Sequence, residues 1–294
     1  MTTALQLQLG EPVTHRGITI VPAFPFRNPV AEYVTLEEAL PRGFRIDEVS
    51  DAGSVPELRV RNPLDERVLL YDGEELIGAK QNRILNLTVL VAPRSETPIP
   101  VSCVEAGRWR MRSAAFAAAE HTAGPELRAR KAHMLASDPL IRGAAQSEVW
   151  RAIDEQSTRR GVASPTAAHA DMFAHHRSAL HELREAFPAR SGQCGVILVL
   201  PDGHTCLDYL SRPDAYAEHH RKLLDGYLMD ALDQLDRPAA GIEPVNRMLH
   251  RLSLVPLSRR GSAGLGTDLR TATKLVSATG LELDGELLQL SAYA

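Results

Sequence analysis

No run of about 18 apolar residues occurs anywhere in the chain, which removes the membrane-spanning helix from the possible readings. The N-terminus, MTTALQLQLGEP, lacks a basic start followed by an apolar core, so the expectation is an untargeted, cytoplasmic protein. Cysteine is too scarce for a disulfide framework: there are three, Cys103, Cys194 and Cys206. If Gly195–Leu200 and Thr205–Leu210 pair around Asp202-Gly203, Cys206 falls opposite Val199, about five rows or roughly 17 Å from Cys194, and no bridge forms. A basic excess is missing too, since net charge is -4 and the pI is near 6.3, so no nucleic-acid partner is expected. No CxxC or HExxH pattern is present. The segment GSAGLG, Gly261 to Gly266, has neither the order of a nucleotide-binding loop nor a helix after it, and reads as a loop or strand entry. Three Asp-Gly turns recur without a fixed period, so no solenoid is implied.

What is present is a core-sized apolar content, 44% of 294 residues, and one stretch dense in functional groups, Leu69 to Trp109. Val68–Tyr71 reads as a strand, Asp72-Gly73 as a tight hairpin turn, and Glu74 as the start of the return strand. From Arg83 the residues Arg83, Leu85, Leu87, Val89 and Val91 share one face, and Asn82, Asn86 and Thr88 the other. A five-residue loop, Pro93 to Thr97, then leads to a strand Pro98–Glu105, with Leu87 opposite Cys103 and Leu85 opposite Glu105. That register makes Glu105 a diagonal neighbour of Arg83, close enough for an ion pair. Gly78 marks a bulge or a strand end, which decides the face that Lys80 takes. Gly107 either lets backbone approach closely or ends the strand. Between Lys80 and Arg112 lie six basic residues, Lys80, Arg83, Arg94, Arg108, Arg110 and Arg112, against Glu96 and Glu105. This excess suits a small anionic or phosphorylated ligand; a solvated surface explains it equally well.

The words GEELIGAKQNR and VSCVEAGRW, about twenty residues apart, resemble the signature of the ARG and Rhodanese-Phosphatase-superfamily-associated Protein domain family. GVILVLPDGHTCLDYLSRPDAY, GLGTDLR and the ending LSAY resemble its C-terminal half, so the likeness covers most of the chain. The resemblance implies a link by association to ADP-ribose and other NAD-derived metabolism, in a family whose members are candidate enzymes without an established reaction. Carried over by position, its motif residues are Glu74, Glu75, Lys80, Gln81, Asn82, Arg83, Cys103, Glu105, Arg108 and Trp109. Gln289 stands in the last hairpin where the resemblance leads one to expect a histidine.

Along the chain, Gly17–Phe24, Phe44–Val49 and Leu58–Asn62 read as strands. Thr35 caps a short helix to Leu40, with Glu38 completing a capping box. From Ser113 alanine and arginine predominate and helices are expected: AAFAAAEHT, Pro125–Ala136, Ala144–Arg160 and Pro165–Ala186, with breaks at Asp138-Pro139 and Gly161. The last of these starts at Ser164-Pro165 and carries Met172, Phe173, His176, Leu180, Leu183 and Phe187 on one packed stripe. A hairpin around Asp202-Gly203, a helix Pro213–Leu235 with His219-His220 on its surface, a helix Pro244–Leu252 and the terminal strands follow. The predicted class is α+β: a β-rich sandwich or open barrel (residues 1–110), a helical segment (111–190) and a C-terminal α+β segment (191–294) packing on the first, together one compact unit.

The function expected is an enzyme or sensor for a nucleotide-derived anionic ligand, ADP-ribose-like in character. Lys80, Arg83 and Arg108 would bind phosphate or carboxylate, and Gln81 and Asn82 would orient polar groups. Glu105 or Glu75 would serve as general base; Glu74, Cys103 and Trp109 join the ligand-binding set. Cys103 has no histidine assignable as its partner. His169, Asp171, His175 and His176 contain one helically spaced pair but no four-ligand set, so no metal is expected, and no cofactor is assigned. The alternative is a non-catalytic module whose polar cluster is buried and structural. The two differ in whether the cluster lines an open concavity or is sealed by packing.

Overall fold

The computed structural model describes residues 7–50, 53–54, 56–137 and 142–294, with backbone alone at 136–137 and 142–145. Seven α-helices and eighteen strands among these residues give the α+β class. The strands form three sheets. A nine-stranded antiparallel sheet runs in the order Leu7–Leu9, Ile18–Pro25, Gly195–Val199, Thr205–Leu210, Glu286–Tyr293, Ser277–Leu283, Thr267–Ala272 and Ser258–Gly261, with Val13–His15 also paired to Ile18–Pro25. The β-rich N-terminal segment is therefore divided, its first strands completing the sheet of the C-terminal segment.

This sheet is covered on both faces, which explains its unbroken apolar strands. In GVILV, Val196 and Leu198 pack against Tyr216, Leu223 and Tyr227 of the helix Pro213–Ala231. Ile197 and Val199 point the other way, onto Val245 and Met248 of the helix Glu243–Leu254. A six-stranded antiparallel sheet holds Phe116–Thr122, Glu74–Gly78, Arg83–Leu85, Ser95–Cys103, Glu57–Asn62 and Arg45–Glu48; a three-stranded one holds Val89–Val91, Val68–Leu70 and Val34–Thr35. Leu58, Val60, Leu70, Leu76, Leu85, Val91 and Val101 share one core across these two sheets. The expected cap is present: Thr35 Oγ1 accepts from the Glu38 N–H, and Glu38 reaches back to the Thr35 N–H.

Several local expectations are corrected. Asp72-Gly73 is a turn, with Gly73 at φ +86° and the Glu74 N–H donating to Tyr71 O at 3.1 Å, but the strands it joins do not pair. Val68–Leu70 pairs with Val89–Val91, whereas Glu74–Gly78 pairs with Arg83–Leu85 and Phe116–Thr122, so the turn is a corner between sheets. The alternating run from Arg83 breaks at residues 86–88 for the same reason. There Asn86 Oδ1 accepts from Ser102 Oγ at 2.9 Å, and Thr88 Oγ1 accepts from the Asp72 N–H at 3.1 Å. The strand after the two-residue turn Pro93-Arg94 begins at Ser95, and Leu85 faces Val101 rather than Glu105. Cys103 consequently faces Arg83 instead of Leu87.

AAFAAAEHT is not a helix. Residues Phe116–Thr122 form a strand, because the free edge of Glu74–Gly78 offers backbone partners that outweigh a modest alanine preference. Pro125–Ser137 and Arg142–Arg159 are helical; the expected break at Asp138-Pro139 lies outside the described residues. The helix expected from Pro165 starts only at His169, since Ser164 Oγ accepts from the Ala168 N–H at 2.8 Å and holds residues 164–168 in a turn. It is interrupted at His176 and resumes as Arg177–Arg184. Its stripe of Met172, Phe173, Leu180, Leu183 and Phe187 is buried as expected, while His176 is only half-buried. His219 and His220 are buried, not on the surface: their helix lies between the large sheet and Phe116–Thr122, and a Cβ on Gly226 would stand 2.8 Å from Thr122 O. Cys206 faces Leu198, one place from the expected Val199, and all three cysteines are free and buried. No helix among the described residues is long and apolar enough to cross a membrane.

Candidate functional site

Gly78 (φ +129°) and Ala79 (φ +38°) end the motif strand, and the chain reverses through residues 79–82 before entering Arg83–Leu85. The reversal is tied down by Arg108. Its Nη1 donates to Ala79 O (2.7 Å) and Arg110 O (3.0 Å), and its Nη2 donates to Gly78 O (3.2 Å), Asn82 Oδ1 (3.2 Å) and Glu105 Oε2 (2.6 Å). Glu105 also accepts from the Asn82 N–H at 3.1 Å and from Thr166 Oγ1 at 2.9 Å. Burial alone would raise the Glu105 pKa, but these donors, led by Arg108, hold it below the usual carboxylate range. Gly107 permits the close approach anticipated for it, its N–H donating to Thr166 O at 2.8 Å. A Cβ there would meet Thr166 Cα at 2.9 Å. The segment before His169 is thereby stitched onto the second motif word.

Arg83 and Glu105 do not form the expected ion pair, because the observed register sets Cys103 across from Arg83. Arg83 Nη1 donates instead to Gln81 Oε1 at 2.8 Å, and Gln81 Nε2 donates to Glu105 O at 3.0 Å. The Arg83 side chain is wholly buried, with Nε and Nη2 lacking hydrogen-bond partners among the described residues. The half-exposed Trp109 ring lies 5.7 Å from the Arg83 guanidinium and 5.5 Å from Lys80 Nζ. Cys103 is clamped by the Gln146 amide, which accepts from its N–H and donates to its carbonyl, both at 2.8 Å. Burial pushes its thiol pKa up, which disfavours the thiolate a nucleophile requires. Glu74 accepts from the Tyr71 N–H at 2.8 Å, and burial pushes it up to about 8.

Asn82, Glu105 and Arg108 also border a cleft of about 810 Å³ between the motif loop, the Phe116–Thr122 strand and the helices Arg177–Arg184 and Pro213–Ala231. Six arginines line it, Arg108, Arg110, Arg112, Arg177, Arg184 and Arg221, against four acids, Glu105, Glu120, Asp171 and Asp225. Arg108 is bound to Glu105, Arg184 to Asp225 at 2.7 Å and Arg221 to Glu120 at 3.3 Å. Arg110, Arg112 and Arg177 are exposed and make no ion pair among the described residues. The positive excess thus concentrates here, while Arg94 of the sequence cluster sits apart, bound to Asp65 at 2.8 Å.

At the edge of the same cleft Glu75 holds two imidazoles on one oxygen: Oε2 is 2.9 Å from His121 Nε2 and 2.6 Å from His169 Nδ1. Burial would raise this carboxyl, but the two histidines overcome it and draw it down to about 2. His121 lines the cleft and stacks on Phe173, ring centroids 3.7 Å apart. The helically spaced Asp171 and His175 do not converge; Asp171 accepts from Ser164 Oγ at 2.6 Å, and His175 is exposed.

A second polar cluster is sealed between the sheets. Asp208 accepts two bonds from Arg128 (2.7 and 2.8 Å) and one each from Tyr71, Tyr227, Ser291 and the Cys206 thiol. Arg128 and Asp208 are wholly buried. Gln289 belongs here, donating to Ser291 Oγ at 2.6 Å, so its replacement of the expected histidine alters the sealed cluster and not the cleft.

His121, Thr166, Arg177, Arg184 and Arg221 escaped the sequence reading. His121 lies in an alanine-rich run whose composition favours helix, and only its Glu-His-Thr ending sets it apart. Helical spacing groups His169 with Asp171, His175 and His176, whereas its partners Glu75 and His121 come from strands that no local spacing connects to it. A family model for the ARG and Rhodanese-Phosphatase-superfamily-associated Protein domain matches residues 6–293, and the chain belongs to that family. No curated protein and no solved structure matches it.

Proposed function

We propose that this member of the family binds a small nucleotide-derived anion in the arginine-rimmed cleft, acting as an enzyme or sensor in ADP-ribose- or NAD-linked metabolism in the cytoplasm. The observation that carries the reading is the set of three exposed arginines, Arg110, Arg112 and Arg177, facing a cleft in which every carboxylate already has a partner. Guanidinium groups without a carboxylate are suited to phosphate, which they bind through paired N–H donors. About 810 Å³ lies within the range that accommodates a nucleotide-sized molecule. The metabolic context rests on what the family resemblance implies. Free, buried cysteines fit a reducing compartment.

Within this reading Arg108 shapes the loop and Asn82 and Glu105 border the ligand. Glu105 Oε1, which takes only the Thr166 hydroxyl, keeps lone pairs available for water or a substrate proton. Glu75 acts by orienting His121, the imidazole at the cleft wall. The other motif residues, Glu74, Gln81, Arg83 and Cys103, stay within the packed strands and support the loop. Their burial is what the non-catalytic alternative requires, so the two readings divide the motif between them.

The test is thermal stabilisation of the full chain by ADP-ribose, ADP, NAD and sugar phosphates, repeated with Arg110→Gln/Arg112→Gln. A ligand at about 100 times its Kd should add about 2.7 kcal/mol to the wild type and much less to the variant. No stabilisation by any compound would support the structural module instead, and equal stabilisation of both proteins would take Arg110 and Arg112 out of the binding site.

A further inference from the structure

We infer that Glu75, His121 and His169 form a binding site for a first-row divalent transition metal, opening onto the cleft. The three side chains come from separate elements: the strand Glu74–Gly78, the strand Phe116–Thr122 and the first residue of the helix His169–His175. Their ligand atoms all lie within 4.8 Å of one another, and all three residues are buried. Both imidazole nitrogens converge on Glu75 Oε2, at 2.9 and 2.6 Å, while Glu75 Oε1 is buried without a hydrogen-bond partner among the described residues. An unsatisfied buried carboxylate oxygen is costly, and a cation beside it removes that cost.

Two histidines and one carboxylate are the donor set of open zinc and non-haem iron(II) sites, which retain positions for water or substrate. Bond lengths of about 2.0–2.2 Å need only small movements of these three groups, with the metal taking the place of the N–H protons that now face Glu75. Imidazole donors argue against magnesium or calcium, which favour oxygen. His121 also lines the cleft, which gives this buried trio a route to solvent and to any bound anion. Phe173, stacked on the His121 ring, fixes the plane of that ligand. A second convergent trio among the described residues, Glu37, Glu74 and His219, differs in one decisive respect. The Lys222 ammonium contacts Glu37 and lies 3.9 Å from Glu74, so a cation is already there.

The assignment does not depend on the anionic-ligand reading, and its test uses metal alone. Full-length protein stripped with chelator is titrated with Co2+ and, separately, Zn2+, with bound metal measured after gel filtration. One equivalent should bind per chain, the cobalt form showing the visible absorption of a low-coordinate centre. Glu75→Gln and His121→Ala should each weaken binding at least about tenfold, and His175→Ala, an exposed histidine on the same helix as His169, should not. Wild-type protein that retains neither metal overturns the site even if the variants fail to fold. So does full binding by folded Glu75→Gln and His121→Ala.

Discussion

The two buried acid clusters of this protein are built on opposite plans. Asp208 receives six donors distributed over both oxygens, from strands and helices of all three chain segments, and has no contact with the cleft. Among the described residues Glu75 receives two donors on one oxygen and none on the other, and its partner His121 faces the cleft. Saturation rigidifies, because every member of a satisfied network loses a bond if any one moves. Incomplete satisfaction beside a cavity leaves capacity for something outside the chain. The difference separates the polar groups that hold this fold together from those available to a ligand.

The largest effect should come from the saturated cluster. Asp208→Asn leaves Arg128 buried without its counter-charge, and denaturant unfolding should show a loss of about 3–5 kcal/mol. Arg128→Met/Asp208→Leu should recover a substantial part of it, since both charges are then gone. Glu105→Gln should cost less, about 1–2 kcal/mol, because Arg108 still has three backbone carbonyls and Asn82 to donate to. Equal losses at positions 105 and 208 would erase the distinction.

Next in size is Gly226→Ala. In an exposed helix this change stabilises by up to about 1 kcal/mol. Here the new methyl would lie 2.8 Å from Thr122 O, so the helix must shift and about 1–3 kcal/mol should be lost. An unchanged or raised melting temperature would mean that the Pro213–Ala231 helix is not seated against the His121 strand as described.

Per pH unit, a smaller effect follows acidification. Burial, with the nearby Arg128 charge, lowers the His219 pKa to about 3. Between about pH 3 and pH 6.5 the unfolded chain therefore binds a proton that the folded chain does not. Stability from this group is fully present above about pH 6.5 and is lost as pH falls. Compared with His219→Gln, the wild type should weaken by up to about 1.4 kcal/mol per pH unit across that window. A pH-independent difference between the two proteins would place His219 in contact with water.

Where an element is specified by its own residues, the sequence disclosed it. Thr35 and Glu38 cap their helix reciprocally, the GVILV hairpin turns at Asp202-Gly203, and the stripe from Met172 to Phe187 is buried. Of the motif words, Asn82, Glu105 and Arg108 border the cleft. What stayed hidden depends on partners distant in sequence. Phe116–Thr122 is a strand only because the edge of Glu74–Gly78 lies beside it, and the register of Ser95–Cys103 is shared between two partner strands. The Arg83–Glu105 pair failed with that register. His121, His169 and the cleft arginines come from five elements whose proximity no local pattern encodes.

The most direct test of the division between fold-holding and ligand-facing groups is Arg177→Met, measured for unfolding free energy and for ADP-ribose-induced rise in melting temperature on the same samples. Arg177 is exposed at the cleft, so stability should stay within about 0.5 kcal/mol of wild type while most of the ligand-induced rise disappears. A lowered stability with an undiminished ligand response would contradict the account.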